Sequence, residues 1–195
     1  MAFTKKMELI RYYGRKVVLP SDKIKKILTE EVFRDNIAEG CMIDFGAGTL
    51  YWSKWFYRYI KKVIAVDIYY KNSINEGGII YQNNLRDALD IVDESPCIIW
   101  MSDVLHHLNR ETYKEIFSEL TLTRMDYVII KDIDCNHKFG NFMNRMHDRI
   151  INHERIMDVD PMKLIELLEK RGFEVKKIYL PKLWYPHFLL IAKKS

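Results

Sequence analysis

Short apolar runs alternate with amphipathic stretches along most of the chain, which predicts alternating strands and helices. Five runs are almost wholly apolar, as expected of strands that helices cover on both faces. They span residues 41–45, 62–67, 78–82, 97–101 and 127–131. Two more strands are predicted at 173–179 and 187–193. Because the connection between these two is short, they can pair only as antiparallel neighbours.

Apolar residues at helical spacing predict the intervening helices. These span residues 21–33, 51–60, 110–120 and 161–171, with a weaker pattern at 139–151. Ser21 and Asn109 are predicted N-caps, Pro161 opens the last helix and Gly172 stops it. Residues 68–77 are too few for a full helix between the second and third strands, so we expect a truncated helix or a turn there.

The strand at 41–45 runs into a glycine turn that can cradle a nucleotide-like cofactor. Gly46 and Gly48 let the backbone pass close under such a ligand. Asp44 precedes them, and a carboxylate there suits a cationic amino-acid moiety better than a pyrophosphate. The second strand delivers Asp67, which can bind the two hydroxyls of a ribose. Together these features point to S-adenosylmethionine (SAM).

Three segments, in order and spacing, resemble the class I SAM-dependent methyltransferases. They are residues 44–49 (Asp-Phe-Gly-Ala-Gly-Thr), Asp67, and residues 102–108 (Ser-Asp-Val-Leu-His-His-Leu). The resemblance covers the chain from about Asp44 to the C-terminus. It implies a three-layer α/β sandwich around a mostly parallel seven-stranded sheet, of order 3-2-1-4-5-7-6 with the last strand antiparallel. It also implies a transferase that uses SAM as its cofactor.

The resemblance assigns Asp44 to the methionyl ammonium and Asp67 to the ribose. Asn84, with Asn83 next, is favoured for the adenine amino group, and Leu85 for a face of the purine ring. The alternative is that the two asparagines are only polar residues of a turn. The full cofactor set predicted is Asp44, Gly46, Ala47, Gly48, Asp67, Ile68, Asn83, Asn84, Leu85 and Ser102. Leu50 stands where the family usually has a third glycine.

Candidate catalytic residues follow the fourth and fifth strands. They are Asp103, His106, His107, Lys131 and Asp132. Methyl transfer to a hydroxyl requires the acceptor to be held against the methyl group and to lose a proton, a task that suits histidine. The two histidines equally suit a role in shaping the turn beside the cofactor. Residues 132–160 form a long excursion that we expect to be a substrate lid, with His137, His147 and Asp148 as substrate-binding candidates or as surface polar residues.

The chain has 195 residues and a net charge of +4 with both signs interspersed. This length predicts one domain, residues 1–195, in which 1–40 form an N-terminal arm and helix. The charge pattern lacks the dense basic runs of proteins that grip nucleic acid through phosphates. No run approaches the ~20 apolar residues of a membrane span, so we expect a cytoplasmic protein. Nothing in the cysteine spacing suggests a metal site.

The function expected from the sequence is O-methylation of a small molecule or a carbohydrate, such as a sugar, nucleotide-sugar or polysaccharide in carbohydrate biosynthesis. Three alternatives stay open. An RNA ribose methyltransferase would use a Lys-Asp-Lys-Glu set, of which Asp103 and Lys131 match the middle members while the last strand offers no Glu. An NAD(P)-dependent oxidoreductase would want a third glycine or alanine where Tyr51 stands. An inactive SAM-binding scaffold is the third.

Overall fold

A computed structural model describes residues 20–34, 37–70, 74–92, 96–147, 149, 157–183 and 185–195. Eight strands form one sheet. They are β1 (Cys41–Phe45), β2 (Lys62–Val66), β3 (Ile74–Glu76), β4 (Ile79–Gln82), β5 (Cys97–Ser102), β6 (Tyr127–Ile133), β7 (Phe173–Lys182) and β8 (Tyr185–Lys194).

The strand order is β3-β4-β2-β1-β5-β6-β8-β7. Strands β4, β2, β1, β5 and β6 pair in parallel, and β8 pairs antiparallel with both β6 and β7. Without β3 this is the predicted order 3-2-1-4-5-7-6, which confirms the predicted fold. The extra strand β3 pairs antiparallel with β4 at the edge of the sheet. A short strand therefore stands where we expected a truncated helix or a turn.

Seven α-helices are described. They are α1 (Ser21–Glu31), α2 (Tyr51–Phe56), α3 (Leu85–Asp90), α4 (Arg110–Ile116), α5 (Glu119–Thr123), α6 (Lys138–His147) and α7 (Pro161–Glu169). A 3-10 turn, Leu105–His107, follows β5. The helix predicted at 110–120 is two short helices, because Ser118 caps a new one through the Thr121 N–H. Asn109 caps α4 as expected, whereas Pro20 rather than Ser21 is the N-cap residue of α1.

Two apolar layers enclose the sheet, as the all-buried strand β1 predicts. On one face Ile43 and Phe45 pack with residues of α3, α4, α5 and α7. On the other face Met42 packs with Trp52 and Phe56 of α2 and with α1. Asp44 points to this second face, because side chains alternate along a strand. A carboxylate is thereby placed within an otherwise apolar layer.

Because β8 runs opposite to β6, its first residues lie at the edge where the parallel strands end. The start of β8 therefore lies along the same edge of the sheet as residues 44–50, 67–70, 102–107 and 131–134. No described helix is both long and apolar enough to cross a membrane.

Candidate functional site

The glycine loop joins β1 to α2 at the carboxyl edge of the sheet. The Gly46 and Ala47 N–H groups donate to the Val66 carbonyl at 2.8 and 3.1 Å, which anchors the loop on β2. Gly46 has a φ of +76°, and a Cβ there would lie 2.4 Å from Cγ2 of Val104. Glycine is required at this position both for its conformation and for space.

Asp67 ties the end of β2 to the glycine loop. Its Oδ2 accepts the Gly48 N–H at 2.8 Å, and its Oδ1 accepts the Tyr69 N–H at 3.1 Å. The Tyr70 hydroxyl donates to the Gly48 carbonyl at 3.1 Å. The N–H and the carbonyl of Gly48 are therefore both hydrogen-bonded to the segment that follows β2. Tyr70 was not predicted from the sequence, because its contact depends on how the turn after β2 folds back.

Asp44 lies beneath the loop and is 2 % exposed. Its Oδ2 accepts a hydrogen bond of 2.5 Å from the Ser53 hydroxyl of α2. Burial raises the pKa of Asp44 to about 7, against the lowering effect of Ser53, and the charge of nearby Asp67 adds to the rise. The two acids that the sequence singled out therefore influence each other across one glycine loop.

Leu50 keeps the backbone conformation that a glycine would adopt. Its φ is +63°, in the left-handed region, and it is the N-cap residue of α2. A leucine in this region is strained by contact between its Cβ and its own backbone. Leu50 thus adopts a conformation that a glycine at this position would adopt without strain.

The predicted adenine-binding residues have structural roles of their own. The Asn84 side chain accepts the Asp87 N–H at 2.9 Å as the N-cap of α3, and it donates to Asn83 at 2.7 Å. Leu85 is 3 % exposed within the core, so its side chain offers little surface to a purine. Ile68, in contrast, is 82 % exposed beside Asp67. It presents an apolar face to solvent at this edge of the sheet.

Asp103, directly after β5, is held in the left-handed region with a φ of +53°. Both of its carboxylate oxygens pair with the ammonium of Lys131, which lies on β6 and is 1 % exposed. Burial by itself would raise the pKa of Asp103, but Lys131, with His187 and His106, holds it below its usual range. Ser102 lies beside it, with its hydroxyl 3.4 Å from Oδ2 of Asp103.

A second hydrogen-bonded pair, His106 and Asp132, is buried after the same two strands. Nδ1 of His106 lies 2.6 Å from Oδ1 of Asp132, and these residues are 5 % and 0 % exposed. His107 is exposed, and its ring centroid lies 4.1 Å from that of His106. The sequence placed both histidines at this edge, but it did not single out Asp132 as the partner of His106.

His187 is a member of this cluster that sequence reasoning missed. It is 1 % exposed near the start of β8, and its charge contributes to the lowered pKa of Asp103. An available signal was the antiparallel direction of the last strand, which brings that strand's first residues to the carboxyl edge of the others.

The predicted lid is corrected at its start. Asp132 and Ile133 belong to β6, and α6 begins at Lys138. Nδ1 of His137 accepts the Gly140 N–H at 3.1 Å, so this exposed histidine caps α6. His147 is the last residue of α6, and Asp148 lies outside the described residues. The substrate-binding role of all three stays a prediction.

Within the described ranges, no group of three or more histidine, cysteine or acidic residues is arranged to hold a metal ion.

Known structures share this fold, although the chain matches no family model and no curated protein. A SAM-dependent methyltransferase from Archaeoglobus fulgidus aligns with a TM-score of 0.67 at 17% identity, covering 94% of this chain and 98% of that one. Magnesium protoporphyrin IX methyltransferase from Synechocystis PCC 6803, solved with bound SAH, aligns at 0.62 and 14% identity, covering 89% and 82%. A methyltransferase from Mesorhizobium loti, also described as dependent on S-adenosylmethionine, aligns at 0.62 and 12% identity, covering 85% and 96%. The chain therefore has the class I SAM-dependent methyltransferase fold.

Proposed function

We propose that this protein is a SAM-dependent methyltransferase that methylates a hydroxyl of a small molecule or carbohydrate. The observation that carries the proposal is the pair Asp44 and Asp67 on either side of one glycine loop, in a fold whose solved examples include enzymes with bound SAH. SAM supplies an activated methyl group when bound. The chain supplies the groups that bind the cofactor and handle the acceptor.

The residues present fit this cofactor. Asp44 is a carboxylate whose pKa burial raises, and the ammonium of a methionyl group would stabilise its charged form. Asp67 has a charged oxygen acceptor for ribose hydroxyls at the end of the neighbouring strand. Gly46 leaves the loop without a side chain on its inner surface. Ile68 offers an apolar face for the adenine ring, which favours it over Leu85.

The same groups argue against a nicotinamide cofactor. A pyrophosphate at this loop would meet the charge of Asp44 directly beneath it, and like charges at short range are unfavourable.

The residue that we propose for the acceptor side is Asp103. Asp103 is 26 % exposed in its side chain and is kept in its ionised form by Lys131. An ionised carboxylate is a strong hydrogen-bond acceptor for hydroxyl groups of a substrate. We assign Asp103 to acceptor orientation, so Asp103→Ala should reduce turnover more than cofactor affinity.

Isothermal titration calorimetry of the purified chain tests the cofactor. We expect SAM and S-adenosylhomocysteine to bind and NAD to give no heat. We expect Asp44→Asn to lower the affinity for SAM by a larger factor than the one that separates the affinities of the wild type for SAM and S-adenosylhomocysteine. Binding of NAD in place of SAM at millimolar ligand would overturn the proposal.

Asp90→Asn is the matched control for Asp44→Asn, because Asp90 is an exposed aspartate at the end of α3, away from the loop. Equal losses of SAM affinity in the two variants would remove Asp44 from the binding site.

A further inference from the structure

Helix α6 buries a small and a polar residue and exposes its large apolar side chains. Gly140 and Asn144, four residues apart, are buried, and the helix contacts strand β8. Phe139, Phe142 and Met146 are 62 %, 61 % and 42 % exposed. A surface helix ordinarily has the reverse arrangement, with its apolar face toward the core. Packing within this chain therefore does not account for the apolar side chains of α6.

The three exposed side chains form one stripe, which we call the α6 stripe. Spacings of three and four residues place Phe139, Phe142 and Met146 on the same face of a helix. Single exposed apolar residues are ordinary on protein surfaces, whereas adjoining ones mark a surface that contacts another molecule. The α6 stripe is of the second kind.

Basic residues border the α6 stripe. Lys138 and Arg145 are both exposed and are seven residues apart, which places them on one side of the helix. Arg149, just beyond the helix, is exposed as well. Residues 138–149 contain three lysine or arginine residues against one acidic residue. Arg145 pairs with Asp158 at 2.5 Å, so the basic character of this surface rests mainly on the other two.

We propose that the α6 stripe and its basic border are a docking surface for an anionic lipid membrane. The apolar side chains enter the boundary between headgroups and acyl chains, and Lys138 and Arg149 contact the anionic headgroups. Amphipathic helices with aromatic residues on one face and lysine or arginine beside them lie in the plane of this boundary. The docking is peripheral and goes beyond the proposed function.

The charge of the border favours a lipid surface over a second copy of the chain. In an antiparallel pair of α6 helices related by a two-fold axis across them, the basic border of one copy lies beside that of the other. Like charges at short range are unfavourable. An anionic membrane surface has a negative potential that attracts lysine and arginine, and it accepts apolar side chains at the same place. It therefore complements both features of α6.

Vesicle flotation with the purified full chain tests the docking. One set of vesicles is phosphatidylcholine with about one-third phosphatidylserine, and the other is phosphatidylcholine alone. We expect binding to the anionic vesicles to be at least about tenfold stronger, and to weaken as salt is added, because ions screen exposed charges. No binding to the anionic vesicles, or equal binding to both sets, would overturn the proposal.

Phe142→Ser tests the apolar stripe and should lower binding to the anionic vesicles about fivefold or more, since it removes apolar surface that would enter the membrane. Tyr57→Ser is the matched control. Tyr57 is an exposed aromatic residue, and its hydroxyl lies beside Gly78, in the β3–β4 connection at the end of the sheet far from β8. Equal losses in the two variants would overturn the role of the stripe.

The basic border is tested by combining Lys138→Glu with Arg149→Glu. We expect binding at low salt to fall by at least about tenfold, and the difference from wild type to shrink at high salt. The control combines Lys54→Glu with Arg58→Glu, which changes the net charge equally at exposed positions on and after α2. An equal fall in the control would show that net charge alone drives binding and would contradict docking through α6.

Light scattering on the lipid-free protein distinguishes a second copy from a membrane. A dimer that Phe142→Ser dissociates would assign the stripe to self-association and overturn the proposal, as would a stripe that leaves lipid vesicles unbound because it binds an acidic protein. Circular dichroism checks that each variant is folded, and the two wild-type vesicle experiments decide the matter if one is not. Vesicle binding needs neither SAM nor an acceptor, so its failure is independent of any failure of the proposed function.

Discussion

The backbone N–H of Gly48 donates a 2.8 Å hydrogen bond to Oδ2 of Asp67, which couples the glycine loop to the end of the neighbouring strand. One carboxylate thus shapes the loop and faces the proposed ribose site. Removing it should affect both the structure of the loop and the affinity for the cofactor.

Asp67→Ala should weaken SAM binding by ~1.5–3 kcal/mol, or roughly 10-fold to 150-fold, because charge-assisted hydrogen bonds to the ribose are lost. Calorimetry measures this change. Tyr70→Phe is the control, since it removes the hydroxyl that bonds the Gly48 carbonyl and leaves the carboxylate in place. If Tyr70→Phe lowers the affinity for SAM as much as Asp67→Ala does, the loss comes from the altered loop and not from contacts between Asp67 and the ribose.

Asp44→Asn should stabilise the protein above neutral pH. The folded-state pKa of Asp44, about 7, lies above its ordinary value of 3.8, so the folded state loses stability as pH rises between these values. At pH 8 the ionised Asp44 lowers the free energy of unfolding by on the order of 4 kcal/mol, and at pH 5 it lowers it by less. Asparagine can still accept the Ser53 hydrogen bond and carries no charge.

Urea denaturation of wild type and Asp44→Asn at pH 5 and pH 8 gives the free energies of unfolding. We expect the advantage of the variant to grow with pH. A constant difference would mean that Asp44 is not the titrating group.

Leu50→Gly should be more stable than Leu50→Ala by about 1 kcal/mol, because only alanine keeps a Cβ in the left-handed region. Both variants lose the same packing of the leucine side chain beyond Cβ, so their difference isolates the backbone strain. Thermal or urea unfolding measures it. In an ordinary helical position the order would be reversed, and that result would contradict the left-handed conformation of Leu50.

Lys131→Met should destabilise the protein by about 2–4 kcal/mol, because it leaves the Asp103 carboxylate without its cation in a partly buried site. Asp103 with a lowered pKa contributes stability above its ordinary pKa of 3.8, which is lost as pH falls through the folded value. The Lys131→Met cost should therefore shrink in acid. A double-mutant cycle with Asp103→Asn measures the coupling, and additive losses would show that the pair contributes nothing to stability.

Local patterns were sufficient to predict most of the fold. The buried strands are recognisable because a parallel sheet covered on both faces requires continuous apolar runs, and the short connection before β8 required an antiparallel pair. The edge strand β3 and the division of residues 110–123 into two helices were missed. Both depend on pairing and capping contacts rather than on periodicity.

The sequence by itself determined the glycine loop and the placement of acids at the ends of β1 and β2, since strand ends and turns are local properties. Only the tertiary structure decided what those acids contact. Ser53 reaches Asp44 from the following helix, Lys131 reaches Asp103 from the next strand, and His187 enters the cluster from a strand of opposite direction. Such contacts depend on how separate elements pack, and residue type and spacing along the chain do not encode them individually.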